Sequence, residues 1–240
     1  MFFELLFLDV EKNKKLCYIL KERKEKISMK IEVIAHSAIR IENKVGQVIY
    51  LDPFMLNDNY KNDANFIFIT HSHYDHFSPE DIYKIKNEKT KIILTEDLFE
   101  KAVDCGFNIE NIIQVIPNNK YEEENIKFQT IPAYNINKQF HKKEFGWIGY
   151  ILNIDEKKVY VAGDTDITKE ALNVKCDIAL VPVGGTYTMT AEEAAELIEK
   201  IKPKEKAIPT HYKTIVGSVN DAIRFKELLN GKIEVNILIK

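Results

Sequence analysis

The sequence predicts an α/β (α+β) fold in which two mixed β-sheets pack face to face with helices on the outside. Three observations carry that expectation. Short runs of β-branched and aromatic residues, bounded by turn residues, recur between residues 31 and 239. Helical stretches lie among them without strict strand–helix alternation, so a doubly wound parallel sheet fits poorly. At 240 residues the chain makes one domain or two small ones, and that length buries roughly 70–75% of its unfolded surface, enough for a core without covalent staples.

Residues 1–28 read as an N-terminal extension to a domain spanning 29–240. Met1–Val10 is apolar, yet it carries Glu4 and Asp9 and lacks both a basic start and a small-residue cleavage site, unlike a signal peptide. Lys21-Glu-Arg-Lys-Glu-Lys26 reads as a solvated helix or linker; an integral first helix is the competing reading. Strands are expected at Ile31–Ala35, Ala38–Glu42, Val48–Asp52, Phe66–Thr70, Lys91–Thr95 and Ile112–Ile116. Further strands are expected at Phe128–Ile131, Ile148–Ile154, Lys158–Ala162, Asp177–Pro182, Lys206–Pro209 and Ile233–Ile239. Ser78-Pro79-Glu80-Asp81 offers a helix cap, a proline in the first turn and an acid at the third position. Thr190-Ala-Glu-Glu193 opens Ala191–Ile201, with Ala194, Leu197, Ile198 and Ile201 on one face. Ser218 opens the last helix, where Ala222, Phe225, Leu228 and Leu229 do the same.

Composition narrows the function classes. Thirty-four Lys and Arg stand against 37 Asp and Glu, a net charge of −3, which argues against a nucleic-acid binder held by bulk charge. Cys17, Cys105 and Cys176 are scattered, a poor disulfide or thiolate–metal framework, so a reducing cytoplasm is expected. No apolar run reaches the roughly 18–20 residues that span a bilayer.

The chemistry concentrates in Thr70-His71-Ser72-His73-Tyr74-Asp75-His76, directly after the apolar run Phe66-Ile-Phe-Ile69. In an extended segment residues i and i+2 point the same way, so His71 and His73 can hold one cation together. A turn at Asp75-His76 lets these two reach a neighbouring one. Neutral imidazoles with a carboxylate suit zinc, iron, nickel or manganese.

With these residues the chain resembles the metallo-β-lactamase-fold hydrolases, within which it is most similar to the branch that includes ascorbate-6-phosphate lactonase. The resemblance runs from about Met29 to Leu229 through Ala35-His36-Ser37, Tyr50-Leu-Asp-Pro53, the 71–76 string, Ile131-Pro-Ala-Tyr-Asn135, Ala162-Gly-Asp-Thr-Asp166, Pro182-Val-Gly-Gly185 and Pro209-Thr-His-Tyr212. It implies an αββα sandwich with two divalent metal ions, zinc first and manganese, iron or nickel as alternatives, at one edge between the sheets. It further implies that Asp164 bridges both ions, that His211 is the last ligand, and that Asp52 orients a ligand histidine through its second nitrogen. His36 matches a motif near the pocket. Gly184-Gly185 is expected to bring backbone close to the site, and Tyr134, Asn135, Gly185 and Tyr187 to line the substrate.

One position departs from the family. Where members often carry Pro-Ala-x-His, this chain has Ala133-Tyr134-Asn135, so the third histidine of the first ion is missing in register. Either His141 loops back to supply it, or His71, His73 and Asp164 hold a weaker site while His141 serves substrate. The implied activity is metal-assisted hydrolysis of a small ester, lactone or phosphodiester by a hydroxide formed on the metals, with Asp75 able to accept a proton and His141, Tyr134 or Tyr187 able to assist the leaving group. Lys138, Lys142 and Lys143 could attract an anionic group, although such charges more often belong to a solvated loop. An iron-dependent redox enzyme on the same fold, or a metal-binding protein without turnover, are the alternatives.

Overall fold

The computed structural model describes residues 28–239, so the expectations for the extension before residue 28 lie outside the described residues. Two sheets form the body. The first contains β1 (Lys30–Ala35), β2 (Ala38–Glu42), β3 (Val48–Leu51), β4 (Phe66–Phe68), β5 (Lys91–Leu94) and β6 (Ile112–Gln114), side by side in chain order. The second contains β7 (Lys120–Glu123), β8 (Ile126–Pro132), β9 (Ile148–Ile154), β10 (Lys157–Val161), β11 (Ile178–Pro182), β12 (Lys206–Thr210) and β13 (Glu234–Val235), again consecutive. Each sheet begins as an antiparallel meander and then turns parallel, from β3 in the first and from β10 in the second. The parallel strands require crossovers, and four helices provide most of them: α1 (Pro79–Ile85), α2 (Phe99–Asp104), α3 (Ala191–Ile201) and α4 (Val219–Leu228). The expected pair of mixed sheets with flanking helices is the observed architecture.

Burial on both faces explains the strand sequences. Ile49, Leu51, Phe66 and Phe68 point between the sheets and meet Phe128, Tyr150 and Leu152. Their neighbours Tyr50, Ile67 and Ile69 point the other way, onto Ile82 and Ile85 of α1 and Ala102 of α2. A strand covered on both faces reads as an unbroken apolar run, and Phe66-Ile-Phe-Ile69 does. The Tyr150 hydroxyl, buried in this layer, donates to the Ile69 carbonyl at 2.7 Å and ties the second sheet to the first just ahead of the histidine string.

The caps form as expected. Ser78 Oγ accepts from the Asp81 N–H with Pro79 in the first turn, and Thr190 and Glu193 close a reciprocal capping box on α3. Four elements differ from expectation. The last strand is only Glu234–Val235, not Ile233–Ile239. The strand expected at Phe128–Ile131 runs from Ile126 to Pro132, and its charged partner Lys120-Tyr-Glu-Glu123 was not anticipated. As the sheet's edge, β7 has alternating exposed and half-buried residues, so apolar content does not mark it. Helix α2 has no side-chain cap and is six residues long, which leaves little signal.

Candidate metal centre

Both sheets deliver their chemistry to one edge, at the ends of strands. His36 lies in the β1–β2 turn, Asp52 follows β3, the 71–76 string follows β4, Asp164 follows β10, and His211 follows β12. His141 comes from the long connection between β8 and β9. Clefts outside the carboxyl ends of parallel strands are the usual place for a site in such sheets. The backbone is bent to achieve this: His36, Asp52, His141 and His211 all have φ between 47° and 57°, a left-handed conformation uncommon for residues other than glycine, costing of order 1–3 kcal/mol each.

Asp164 is the hub. On one side, ligand atoms of His71, His73, His141 and Asp164 all lie within 4.8 Å of one another, and on the other His76, Asp164 and His211 do the same. Asp164 Oδ2 stands 3.1 Å from His141 Nε2 and 3.0 Å from His211 Nε2, while Oδ1 stands 3.4 Å from His76 Nε2. A third group joins His36, Asp75 and His211. Asp75 Oδ2 is 3.2 Å from His36 Nε2 and 3.4 Å from His76 Nε2. His36 thus stands level with the other imidazoles, its ring centroid 3.9 Å from that of His211.

A layer behind these groups fixes their rings. Asp52 accepts from the Thr70 N–H at 2.8 Å and the Thr70 hydroxyl at 2.7 Å, and its Oδ2 lies 2.8 Å from His76 Nδ1. A carboxylate only accepts, so Nδ1 carries the hydrogen and Nε2 faces Asp164. Thr70 Oγ1 meets His71 Nδ1 at 3.0 Å in the same way. Thr70 does this work unheralded, as does Trp147, the single tryptophan. Its ring packs 4.8 Å from both His71 and His73; its place next to the start of β9, opposite the string, was the available signal.

The segment around the missing histidine folds back on itself. The Asn135 N–H donates to the His141 carbonyl at 2.8 Å, and the Asn135 carboxamide nitrogen lies 3.2 Å from His141 Nδ1 while donating to the Tyr187 carbonyl at 2.8 Å. His141 Nε2 is thereby turned towards Asp164. The Tyr134 hydroxyl is committed elsewhere, donating to Glu170 at 2.8 Å beside Lys143. Gly185 closes a turn, its N–H donating to Met189 at 3.0 Å. Gly184 makes the close approach: a Cβ there would stand 2.2 Å from the His211 carbonyl oxygen. Lys138 is paired with Asp166, Lys143 with Glu170 and Lys142 with Glu144.

The electrostatics follow from burial and crowding. Burial, reinforced by the charge of His76, pushes the His71 imidazole well below its usual 6.5. Burial opposes the charged ring of His76 as well, but the Asp164 and Asp52 carboxylates outweigh it and hold that pKa well above 6.5. Burial alone would raise Asp164; the charges of His211 and His76 hold it well below the carboxylate range instead.

The residues fit divalent cations. His76 Nε2, His141 Nε2, Asp164 Oδ1, His211 Nδ1 and both nitrogens of His36 are buried without a hydrogen bond, and each such atom costs about 1–3 kcal/mol when left unpaired. Convergent imidazole nitrogens around a shared carboxylate are what zinc, manganese, iron or nickel coordinate. Cys105 and Cys176 are free, buried elsewhere, and contribute no thiolate.

Comparison with known proteins agrees with this geometry. Residues 30–211 match the model of the beta-lactamase superfamily domain. A UPF0173 metal-dependent hydrolase of Thermococcus onnurineus is 31% identical over 222 residues, covering 88% of this chain and 96% of that protein. One from Methanosphaera stadtmanae is 30% identical over 230 residues, covering 85% and 93%. Among solved structures, a Parabacteroides distasonis protein designated a metal-dependent hydrolase superposes with a TM-score of 0.76 at 27% identity, covering 88% of this chain and 94% of that one. No helix among the described residues is long and apolar enough to cross a membrane. The chain belongs to the UPF0173 metal-dependent hydrolases of the beta-lactamase superfamily.

Proposed function

We propose that the chain is a cytoplasmic hydrolase that binds two divalent ions, zinc foremost, and cleaves a small ester, lactone or phosphodiester, with lactones suggested by the resemblance to the ascorbate-6-phosphate lactonase branch. The observation that carries this reading is the single carboxylate Asp164 standing between two sets of histidines. His71, His73 and His141 would hold the first ion with Asp164; His76 and His211 would hold the second, with Asp75 or His36 beside them. Bound there, a divalent cation supplies Lewis acidity and lowers the pKa of water from 15.7 towards 7. Two neighbouring cations need shared negative charge between them, and Asp164 would supply it.

The remaining work falls to the protein. Asp52 and Thr70 hold Nδ1 of His76 and His71, so that Nε2 is the nitrogen each ring would offer a bound ion. Asp75 Oδ2, 3.2–3.8 Å from three histidine nitrogens, is held ionised below the usual carboxylate range: burial opposes this, but the contacts with His36 and His76 outweigh it. It is placed to accept a proton from the attacking water and return it to the leaving oxygen. Of the two earlier possibilities for His141, its Nε2 at 3.1 Å from Asp164 favours the ligand role.

The test is elemental analysis of the purified protein beside a chromogenic panel of esters, lactones and phosphodiesters. Turnover that Asp75→Asn and His73→Ala abolish, and that chelation removes, supports the proposal. Wild-type rates in metal-free protein would overturn it, and an iron-loaded protein active on none of the panel would favour redox chemistry.

A further inference from the structure

We infer that the centre takes a substrate whose body beyond the scissile bond is uncharged, apolar and of aromatic size, an inference that rests on the hydrolytic reading above. Three aromatic pairs lie around the histidines; in two of them the inner ring packs on a histidine, in the third the inner residue reaches the site through its backbone, and in all three the outer ring is left in solvent. Phe54, 6.4 Å from His36, carries Tyr74 at 6.0 Å. Trp147, against His71 and His73, carries Phe145 at 4.9 Å. Tyr187, whose carbonyl holds Asn135, carries Phe140 at 4.8 Å. The outer rings Tyr74, Phe145 and Phe140 are 67%, 47% and 48% exposed, although large rings gain by burial. Met55 and Ile136, next in sequence to Phe54 and Asn135, are exposed too.

Charge argues the same way. A phosphate or carboxylate on the substrate would call for a free Lys or Arg at the rim. The lysines of the 138–143 segment are each engaged by an acid: Lys138 by Asp166, Lys142 by Glu144, and Lys143 by Glu170 while it also lies over the Tyr134 ring at 4.6 Å. This stretch of the rim therefore offers ring faces and edges, with its cations already matched by acids, and suits a body that is itself uncharged.

The test uses 4-nitrophenyl esters sharing one leaving group and differing in the acyl body: acetate, phenylacetate and hemisuccinate. For the zinc-loaded full chain, kcat/KM for phenylacetate should exceed that for acetate by about tenfold, the worth of one well-packed aromatic contact, and hemisuccinate should be the poorest. Phe140→Ala and Phe145→Ala should each cut the phenylacetate-to-acetate ratio severalfold at unchanged metal content. Equal rates for phenylacetate and acetate, or a preference for hemisuccinate, would overturn the inference.

Should no ester turn over, the hydrolytic reading is decided by the lactones and phosphodiesters of the panel, while binding still decides this one. Trp147 is the single tryptophan and packs on His71 and His73, so at fixed metal content its fluorescence reports what binds at the centre and its rim. Saturable change with N-benzylacetamide, weakened in Phe140→Ala and absent with succinamate, would support a neutral aromatic ligand. No change, or a stronger response to succinamate, would refute it.

Discussion

Asp52→Asn isolates the work done behind the metal centre. The carboxylate accepts three hydrogen bonds, two from Thr70 and one from His76 Nδ1 at 2.8 Å. A carboxamide of the same shape can still accept from the Thr70 N–H through its oxygen. Its nitrogen then faces His76 Nδ1 and donates, so Nδ1 must accept and the ring hydrogen moves to Nε2. That nitrogen faces Asp164 at 3.4 Å and is the one proposed to bind the second ion, so the favoured tautomer of the variant blocks the site. Losing one charge-assisted hydrogen bond is worth about 1.5–3 kcal/mol, in line with the 10–100-fold in metal affinity that such supporting groups typically control. Zinc titration against a competing chelator should therefore show one of two ions weakened by that factor, the other little changed, in a protein with native circular dichroism. Equal affinity for both ions in wild type and variant would refute the reasoning.

Other consequences can be checked separately. Gly184→Ala would put a Cβ 2.2 Å from the His211 carbonyl oxygen, against 3.4 Å for ordinary contact; it should cost about 1–3 kcal/mol in urea unfolding and lower bound metal, and a stable, fully loaded variant would contradict that. Thr190→Ala removes the capping box of α3 and should cost about 1 kcal/mol, lowering Tm by about 2–4 °C; no shift would mean the cap is not used in solution. Burial pushes the Tyr212 hydroxyl and the Cys176 thiol each up to about 12, from 10.0 and 9.0. The unfolded chain releases these protons first, so stability is full below about pH 9 and falls as pH rises towards 12. Urea midpoints at pH 8, 10 and 11 should decline in that order, and a flat series would count against the buried placement of both groups.

How far the sequence alone reaches depends on whether a feature is local. The two-sheet architecture is legible because strands buried on both faces, such as Phe66–Phe68, are apolar throughout, and because Ser78 and Thr190 mark where helices begin. The 71–76 string is legible because its spacing is itself the geometry. Less legible is what depends on long-range packing. That Asn135 and Tyr187 would hold His141 against Asp164 follows from contacts across 6 and 52 residues, which no spacing rule encodes. The same holds for His36, which reads locally as a turn residue and stands beside Asp75 because β1 and β4 share a sheet. Edge strand β7 and the two-residue length of β13 are illegible for a related reason: their pairing partners, not their side chains, make them strands.

The central claim is that Asp164 stands between two cations held by histidines from distant parts of the chain. Crystals of the zinc-loaded protein, measured at the zinc absorption edge, test it most directly. Two anomalous peaks about 3.5–4 Å apart should flank Asp164, one within about 2.0–2.2 Å of nitrogens from His71, His73 and His141 and the other reaching His76 and His211. A single peak, or peaks whose ligands leave out Asp164 or His141, would contradict the account.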